Sequence, residues 1–272
     1  MKVILITGGS SGIGYETAQT LAKQGHVVYA AARRTERMEP LADLGVHILR
    51  LDITDDASIR QCVEQIRNEQ GRIDVLVNNA GYGSLGAVEN VTMEEARRQL
   101  DVNVFGLARL TQLVMPIMRE HKSGRIINIS SIAGKIVLVN AGWYNVTKYA
   151  VEALSDALRM EAKPFGIDVV IVEPSGIRTD WGLIAADHLE DSARGTVYET
   201  ACNKEARLMR RIYTGKLLSG PEAVRKAICK AVNARRPRLR YQPGMGGTTM
   251  IVLHAILPAR WWDALNRKVV NN

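Results

Sequence analysis

Cysteine is scarce in this chain: Cys62, Cys202 and Cys229 are the only three in 272 residues, far apart and without a CxxC pair or a Cys/His cluster. That spacing excludes a disulfide scaffold and a zinc module, and it suits a reducing, cytoplasmic setting. The five histidines (26, 47, 121, 188 and 254) show no HxxxH spacing and no paired carboxylate, so no metal is expected. Long apolar runs are also missing. The opening Met1–Gly9 is apolar for only a few residues before it meets glycines, and it reads as a buried strand, not a targeting peptide. Near the other end, Met250–Leu257 is interrupted by His254 and stopped by Pro258, so no membrane span is expected. Repeats and low-complexity linkers are absent too. With 46% hydrophobic residues, disorder and a membrane bundle are both poor fits, and one domain over residues 1–272 is expected.

Acidic residues run short in one region. The chain has 36 Lys+Arg against 28 Asp+Glu, a formal +8. From Lys204 to the end there are 15 basic and 3 acidic residues, so that part carries +12 and the first 203 residues carry −4. Such a tail could serve nucleic acid, an anionic membrane surface or an anionic small ligand. Its basic residues are scattered among apolar ones at helical spacing, which also fits a solvated helix face.

What is present is a regular alternation. Lys2–Thr7, Val27–Ala31, Val46–Leu51, Ile73–Asn78, Arg125–Ser130 and Ile167–Glu173 read as strands with the continuous Val/Ile/Leu character of burial on both faces. Between them lie helical patterns at Ile13–Gln24, Asp55–Gln70, Met93–Glu120 and Gly142–Phe165. The alternation predicts the α/β class, a doubly wound parallel sheet with helices on both sides. After Glu173 the rhythm breaks. An irregular lid over about 175–220 is expected beyond the strand ends, then a helix from Pro221 to about Ala234, a short final strand at Arg238–Tyr241, and a helical extension over about 236–272.

The first strand ends in Thr7-Gly8-Gly9-Ser10-Ser11-Gly12-Ile13-Gly14, and a helix follows at once. Gly8, Gly12 and Gly14 permit a tight turn and close approach of backbone to a pyrophosphate, which the free N–H groups of the helix start would hold. The spacing is neither GxGxxG nor a P-loop. The next strand ends in Arg33-Arg34, where a site for NAD would carry an acid for the ribose 2′-hydroxyl. Guanidinium groups there favour a 2′-phosphate, hence NADP(H) over NAD(H), with Ser10 and Ser11 as further phosphate contacts.

Tyr144 and Lys148 are four apart in a helical stretch and share a face. Ser130-Ser131 ends a buried strand, Asn78-Asn79-Ala80-Gly81 ends another, Asn103 sits in a mostly apolar helix, and Pro174–Thr179 follows a third strand. Together with Thr7–Gly14, in this order and spacing, they resemble the motifs of the short-chain dehydrogenase/reductase family. The match includes the thirteen residues from Ser131 to Tyr144 and covers residues 1 to about 235. The tail, with Arg236–Tyr241 and Leu257–Asp263, is more loosely similar to a 17β-hydroxysteroid-dehydrogenase-like subgroup. Ser175 departs from the Pro-Gly usual at that turn.

The resemblance implies a Rossmann-like fold and a reversible, cofactor-dependent reduction of carbonyl to alcohol. Tyr144 would be the general acid or base, its acidity raised by Lys148 and by oxidised nicotinamide. Lys148 would also bind the nicotinamide ribose, Ser131 the substrate oxygen, and Asn103 a water relaying protons to Lys148. Asp52 and Ile53 would meet the adenine, and Asn79, Ala80 and Gly81 the adenosine ribose. Pro174, Gly176, Ile177 and Thr179 would position the carboxamide. Two bland alternatives stay open: Asn103 bridging buried backbone, and Asp52 serving as a strand-end turn residue. The pocket lining, from Gly83–Leu85, Ile136–Val139, Trp143 and Trp181–Ile184, is mostly apolar and predicts a small hydrophobic carbonyl or alcohol substrate, with no nucleic acid. A homodimer or homotetramer is expected from the family habit. The rival readings are a nucleotide-sensing protein with weak turnover, and a protein that contacts membrane surfaces through its basic, Trp-containing tail.

Overall fold

Each residue of β1 (Val3–Thr7) is buried, and a strand without a solvent face must have helices on both sides of its sheet. The structure, a computed structural model, describes residues 1–215 and 218–271, with side chains to residue 267. Residues 216 and 217 of the expected lid and residue 272 of the extension lie outside the described residues. Along the chain, β1 is followed by α1 (Gly12–Lys23), β2 (Val27–Ala32), a short α2 (Glu39–Ala42), β3 (His47–Arg50), α3 (Asp56–Gln70) and β4 (Val75–Asn78). The second half adds α4 (Met93–Leu100), α5 (Leu107–Glu120), β5 (Gly124–Ile129), α6 (Gly142–Ala162) and β6 (Ile167–Val172).

The strands form one parallel sheet in the order β3-β2-β1-β4-β5-β6-β7, where β7 is Arg240–Tyr241. The order reverses between β1 and β4, which opens a crevice beyond their carboxyl ends. Strand alternation sends Ile4 and Ile6 into one core layer, under α1 and a later helix, α7 to α9 being Asp180–Ala193, Glu199–Thr214 and Pro221–Asn233. Val3 and Leu5 enter the opposite layer, under α3 and α5. The sheet is the doubly wound, Rossmann-like one that the alternation predicts.

Three details differ from the sequence reading. The helix expected over Met93–Glu120 is broken by a π-helical segment, Asp101–Gly106, that carries Asn103; such insertions re-aim side chains and are frequent at functional sites. The expected irregular lid holds two ordered helices, α7 and α8. Their small buried residues Ala185, Ala186 and Ala206 join one cluster with Leu85 and Tyr144, so tertiary packing holds both helices in place. The final strand is shorter than expected, Arg240 and Tyr241 pairing with Ile171 and Val172. Beyond it come α10 (Gly247–Ile256) and α11 (Ala259–Asn271).

Candidate active site

The turn between β1 and α1 is shaped by its neighbours. Gly8 has φ +69°, a left-handed conformation that costs glycine little. A Cβ on Gly14 would lie 2.3 Å from the Gly8 carbonyl oxygen and 2.6 Å from Asn79 Nδ2, so only glycine allows helix, turn and the β4 end to close together. Thr7 Oγ1 accepts from the Asn79 and Ala80 N–H groups at 3.0 and 2.9 Å, and Asn79 Nδ2 donates to the Thr7 carbonyl at 2.9 Å. This clamp joins the two strands on either side of the crevice. Ser11 stands exposed before α1 in extended conformation, with no side-chain cap hydrogen bond among the described residues.

Arg33 and Arg34 are exposed at the end of β2. Asp52 lies nearby after β3. Burial tends to raise its carboxyl, but the Thr54 N–H and hydroxyl, with Arg33 and Arg50, hold it below the usual carboxylate range. Its Oδ1 accepts from Thr54 N at 3.0 Å and Thr54 Oγ1 at 2.8 Å. Asp52 is therefore a turn residue with one oxygen engaged. Ile53 is buried in the core layer beneath β3.

Helix α6 carries Tyr144 and Lys148, both buried. Lys148 Nζ lies 5.8 Å from the centre of the Tyr144 ring and donates to the Ile129 carbonyl at 2.9 Å. Burial lowers the Lys148 ammonium to about 8, against the attraction of Glu152 one turn further along. Burial also pushes the Tyr144 phenol upward, and its hydrogen bond with Ser131 pulls the other way. The acidification of Tyr144 expected from Lys148 is not among the influences on the phenol here, of which removal from water is the largest. Ser131 caps a short 3₁₀ turn, its Oγ accepting from Ala133 N at 3.1 Å. That fixes it at the end of β5, while buried Ser130 Oγ has no hydrogen-bond partner among the described residues.

Asn103 is held by both ends of its amide. Its Oδ1 accepts from Tyr82 N at 3.0 Å, and its Nδ2 donates to the Tyr82 carbonyl at 2.8 Å and to Thr147 Oγ1 at 3.2 Å. The bridging of buried backbone, one of the two alternatives left open by the sequence, is therefore present. Yet a Cβ on Gly81 would lie 3.0 Å from Asn103 Oδ1 and 3.9 Å from Lys148 Nζ, so amide and ammonium flank the same point of backbone. On the far side, Pro174 accepts from Ile132 N at 3.0 Å. Ile177 bridges to Ser219, and Gly176 adopts φ +42°. The Thr179 methyl would sit 3.9 Å from a Cβ on Gly12. The structure thus brings the Pro174–Thr179 turn to the glycine turn and leaves Ser131, Tyr144, Lys148 and Asn103 around the crevice between them.

Several contributors were not singled out from sequence. Asn145 Nδ2 donates to the Ala133 and Ile136 carbonyls at 2.7 and 2.8 Å, tying the segment after Ser131 to α6. Behind Lys148, the buried carboxylates of Glu152 and Glu173 share Lys135 and Arg240: Lys135 Nζ is 2.8 Å from Glu152, and Arg240 is 2.9 Å from Glu173 and 3.1 Å from Glu152. Glu152 falls on the Tyr144/Lys148 face by its i+4 spacing, a signal the sequence did carry. Arg240 is 88 residues away from it and carries none. Trp181, already among the pocket residues expected from sequence, lies tilted against Tyr144 and is backed by Tyr213, which the sequence did not mark.

With this geometry in view, comparison with known proteins is decisive. The short chain dehydrogenase family profile matches residues 2–186. The chain belongs to the short-chain dehydrogenase/reductase family. It is an oxidoreductase of that family. It is 40% identical over 246 residues to a 3-ketodihydrosphingosine reductase from Bacteroides thetaiotaomicron, covering 89% of this chain and 88% of that one. Among solved structures it is similar to a short-chain dehydrogenase from Streptomyces avermitilis, with TM-score 0.80, 33% identity, and 99% and 95% of the two chains covered. It is also similar to a serine dehydrogenase in a closed form complexed with NADP+, with TM-score 0.74, 27% identity, and 89% and 94% covered.

Proposed function

We propose that the protein is an NADP(H)-preferring carbonyl reductase acting reversibly on a hydrophobic ketone or aldehyde, with Tyr144 as general acid in reduction and base in oxidation. The observation that carries this reading is the placement of Ser131, Tyr144 and Lys148 on one side of a crevice whose other wall is the apolar lid. The residues fit the dinucleotide: the tight Gly8–Gly14 turn, the helix start at exposed Ser11 and two exposed arginines at the end of β2 suit its phosphates. The nicotinamide supplies the hydride and, when oxidised, a positive charge that makes Tyr144 more acidic.

The chain's own residues do the rest. Arg33 and Arg34 would hold the 2′-phosphate, and Ser10 and Ser11 the pyrophosphate. The free oxygen of Asp52 and the Ile53 backbone would meet the adenine. Lys148 would hydrogen-bond the ribose and pass protons to Tyr144, Ser131 would orient the substrate oxygen, and Asn103 would steady the relay. Trp181 and Leu85 exclude water from the reacting atoms. The relative that reduces 3-ketodihydrosphingosine by name supports a long apolar ketone as substrate. Exposed Phe105, Val146 and Tyr149 support association into a homodimer or homotetramer. The free, buried thiols of Cys62, Cys202 and Cys229 support a reducing, cytoplasmic setting.

The test is Tyr144→Phe across a panel of ketones with NADPH. Turnover should fall by about 100-fold or more, while the NADPH dissociation constant from nicotinamide fluorescence stays within about twofold of wild type. Equal turnover would leave a nucleotide-sensing role as the better reading.

A further inference from the structure

Outside the active site, the strongest feature is a cleft of about 570 Å³ between α9 and β7, lined by Lys226, Lys230, Arg238, Arg240 and Thr248 among others. The Arg240 charge is already matched by Glu152, Asp156 and Glu173. Lys226, Lys230 and Arg238 have no ion-pair partner among the described residues, and all three are exposed. Three uncompensated cations around one cavity repel each other and attract a multivalent anion.

Thr248 links this cleft to the first turn of α10, and the outer face beyond it is apolar. Val252 is 52% exposed, Ile256 69%, Trp261 69% and Leu265 45%. The inner face is anchored: Met250, Ile251 and Leu257 pack on Ile132, Ile136 and Trp262, and Trp262 Nε1 donates to the Val137 carbonyl at 3.2 Å. The outer face is therefore held out by a fixed support. Residues 235 to 272 contain a single acid, Asp263.

We propose that this extension docks on an anionic phospholipid surface, the α9–β7 cleft receiving headgroup phosphate while Val252, Ile256, Trp261 and Leu265 enter the acyl boundary. Cations beside exposed aliphatic and tryptophan side chains match the two layers of such an interface. A second copy of the chain is the poorer occupant, because a twofold contact would bring two surfaces of the same strong positive charge together. Docking does not depend on the reaction, so it stands or falls apart from the reductase reading.

The experiment is co-sedimentation of the full chain with vesicles of phosphatidylcholine alone or with about one third phosphatidylglycerol, at about 0.05 and 0.5 M salt. Binding should be at least about tenfold stronger to the anionic vesicles and should weaken at high salt. Two variants should each lose about tenfold or more: Lys226→Glu/Lys230→Glu/Arg238→Glu in the cleft, and Val252→Ser/Ile256→Ser/Trp261→Ser on the face. These side chains are all exposed, so thermal midpoint and ketone reduction should hold, confirming a folded protein. Equal binding to both vesicle types, or none, overturns the proposal. So does binding of inorganic phosphate to the cleft with no vesicle binding, which marks a soluble phosphorylated ligand. A face variant that lowers the mass in light scattering while wild type ignores vesicles would assign the face to self-association and overturn it as well.

Discussion

The Trp181 indole lies across the Tyr144 phenol, with ring centroids 5.1 Å apart and planes tilted by 49°. Tyr213 backs the indole from α8 at 6.2 Å, and a Cβ on Gly83 would lie 2.4 Å from its ring. The lid therefore meets the proposed proton donor through Trp181 alone of these residues, with Tyr213 and Gly83 holding the indole in place.

Truncating that wall should change selectivity more than chemistry. Trp181→Ala removes an aromatic contact worth about 1 kcal/mol and opens space over Tyr144. The ratio of kcat/KM for bulky over small ketones should rise by about tenfold. A matched panel of ketones checks it, and an unchanged ratio would place Trp181 outside the substrate path.

Lys148 makes stability depend on pH in a definite direction. Its ammonium titrates near 8 in the folded chain because burial disfavours the charge, against 10.5 for an ordinary lysine. Between those values the unfolded chain binds the extra proton, so this group's contribution to unfolding free energy rises with pH from about 8 toward 10. At lower pH the folded protein carries the full cost of the buried charge. Urea titrations should show wild type gaining stability relative to Lys148→Met across that window, by up to about 3 kcal/mol. Parallel curves would contradict the assignment.

The charge cluster behind Lys148 predicts a large loss on breaking it. Arg240→Met would leave Glu173, which is wholly buried, and Glu152 with Lys135 as their one ion-pair partner among the described residues. Removing one partner of a buried set costs about 3–5 kcal/mol. The urea midpoint should fall accordingly, and Arg240→Lys should recover only part, because one ammonium cannot reach Glu152, Asp156 and Glu173 as the guanidinium does.

The proposed preference for NADP(H) is tested at the end of β2. Arg33→Asp should raise the NADPH dissociation constant by about 10- to 100-fold, the worth of a charged hydrogen bond, and change that for NADH far less. Nicotinamide fluorescence titrations of both cofactors measure this, and equal shifts would remove Arg33 from the 2′-phosphate.

Much of the site was legible in the order of residues. The strands show as runs of Val, Ile and Leu because burial on both faces leaves no place for polar alternation. The glycine turn shows because only glycine allows Gly14 to meet the Gly8 carbonyl. Tyr144 and Lys148 show as a pair because helical spacing alone puts them on one face. The lid did not: where α7 and α8 sit is set by small residues clustered with Leu85 and Tyr144, contacts distant in the chain. The π segment at Asn103 was also hidden, since its geometry answers to the Tyr82 backbone 21 residues earlier.

The amino-acid order by itself determined the layered sheet, the glycine turn and the shared helix face of Tyr144 and Lys148, because each follows from local period and stereochemistry. Only the tertiary structure decided how those side chains titrate and what surrounds them. Burial of Tyr144 and Lys148, the anchoring of Glu152 by Arg240 from the distant β7, and the closure of Trp181 over the phenol are sums over neighbours far apart in the chain. Those sums exist only once the chain has folded.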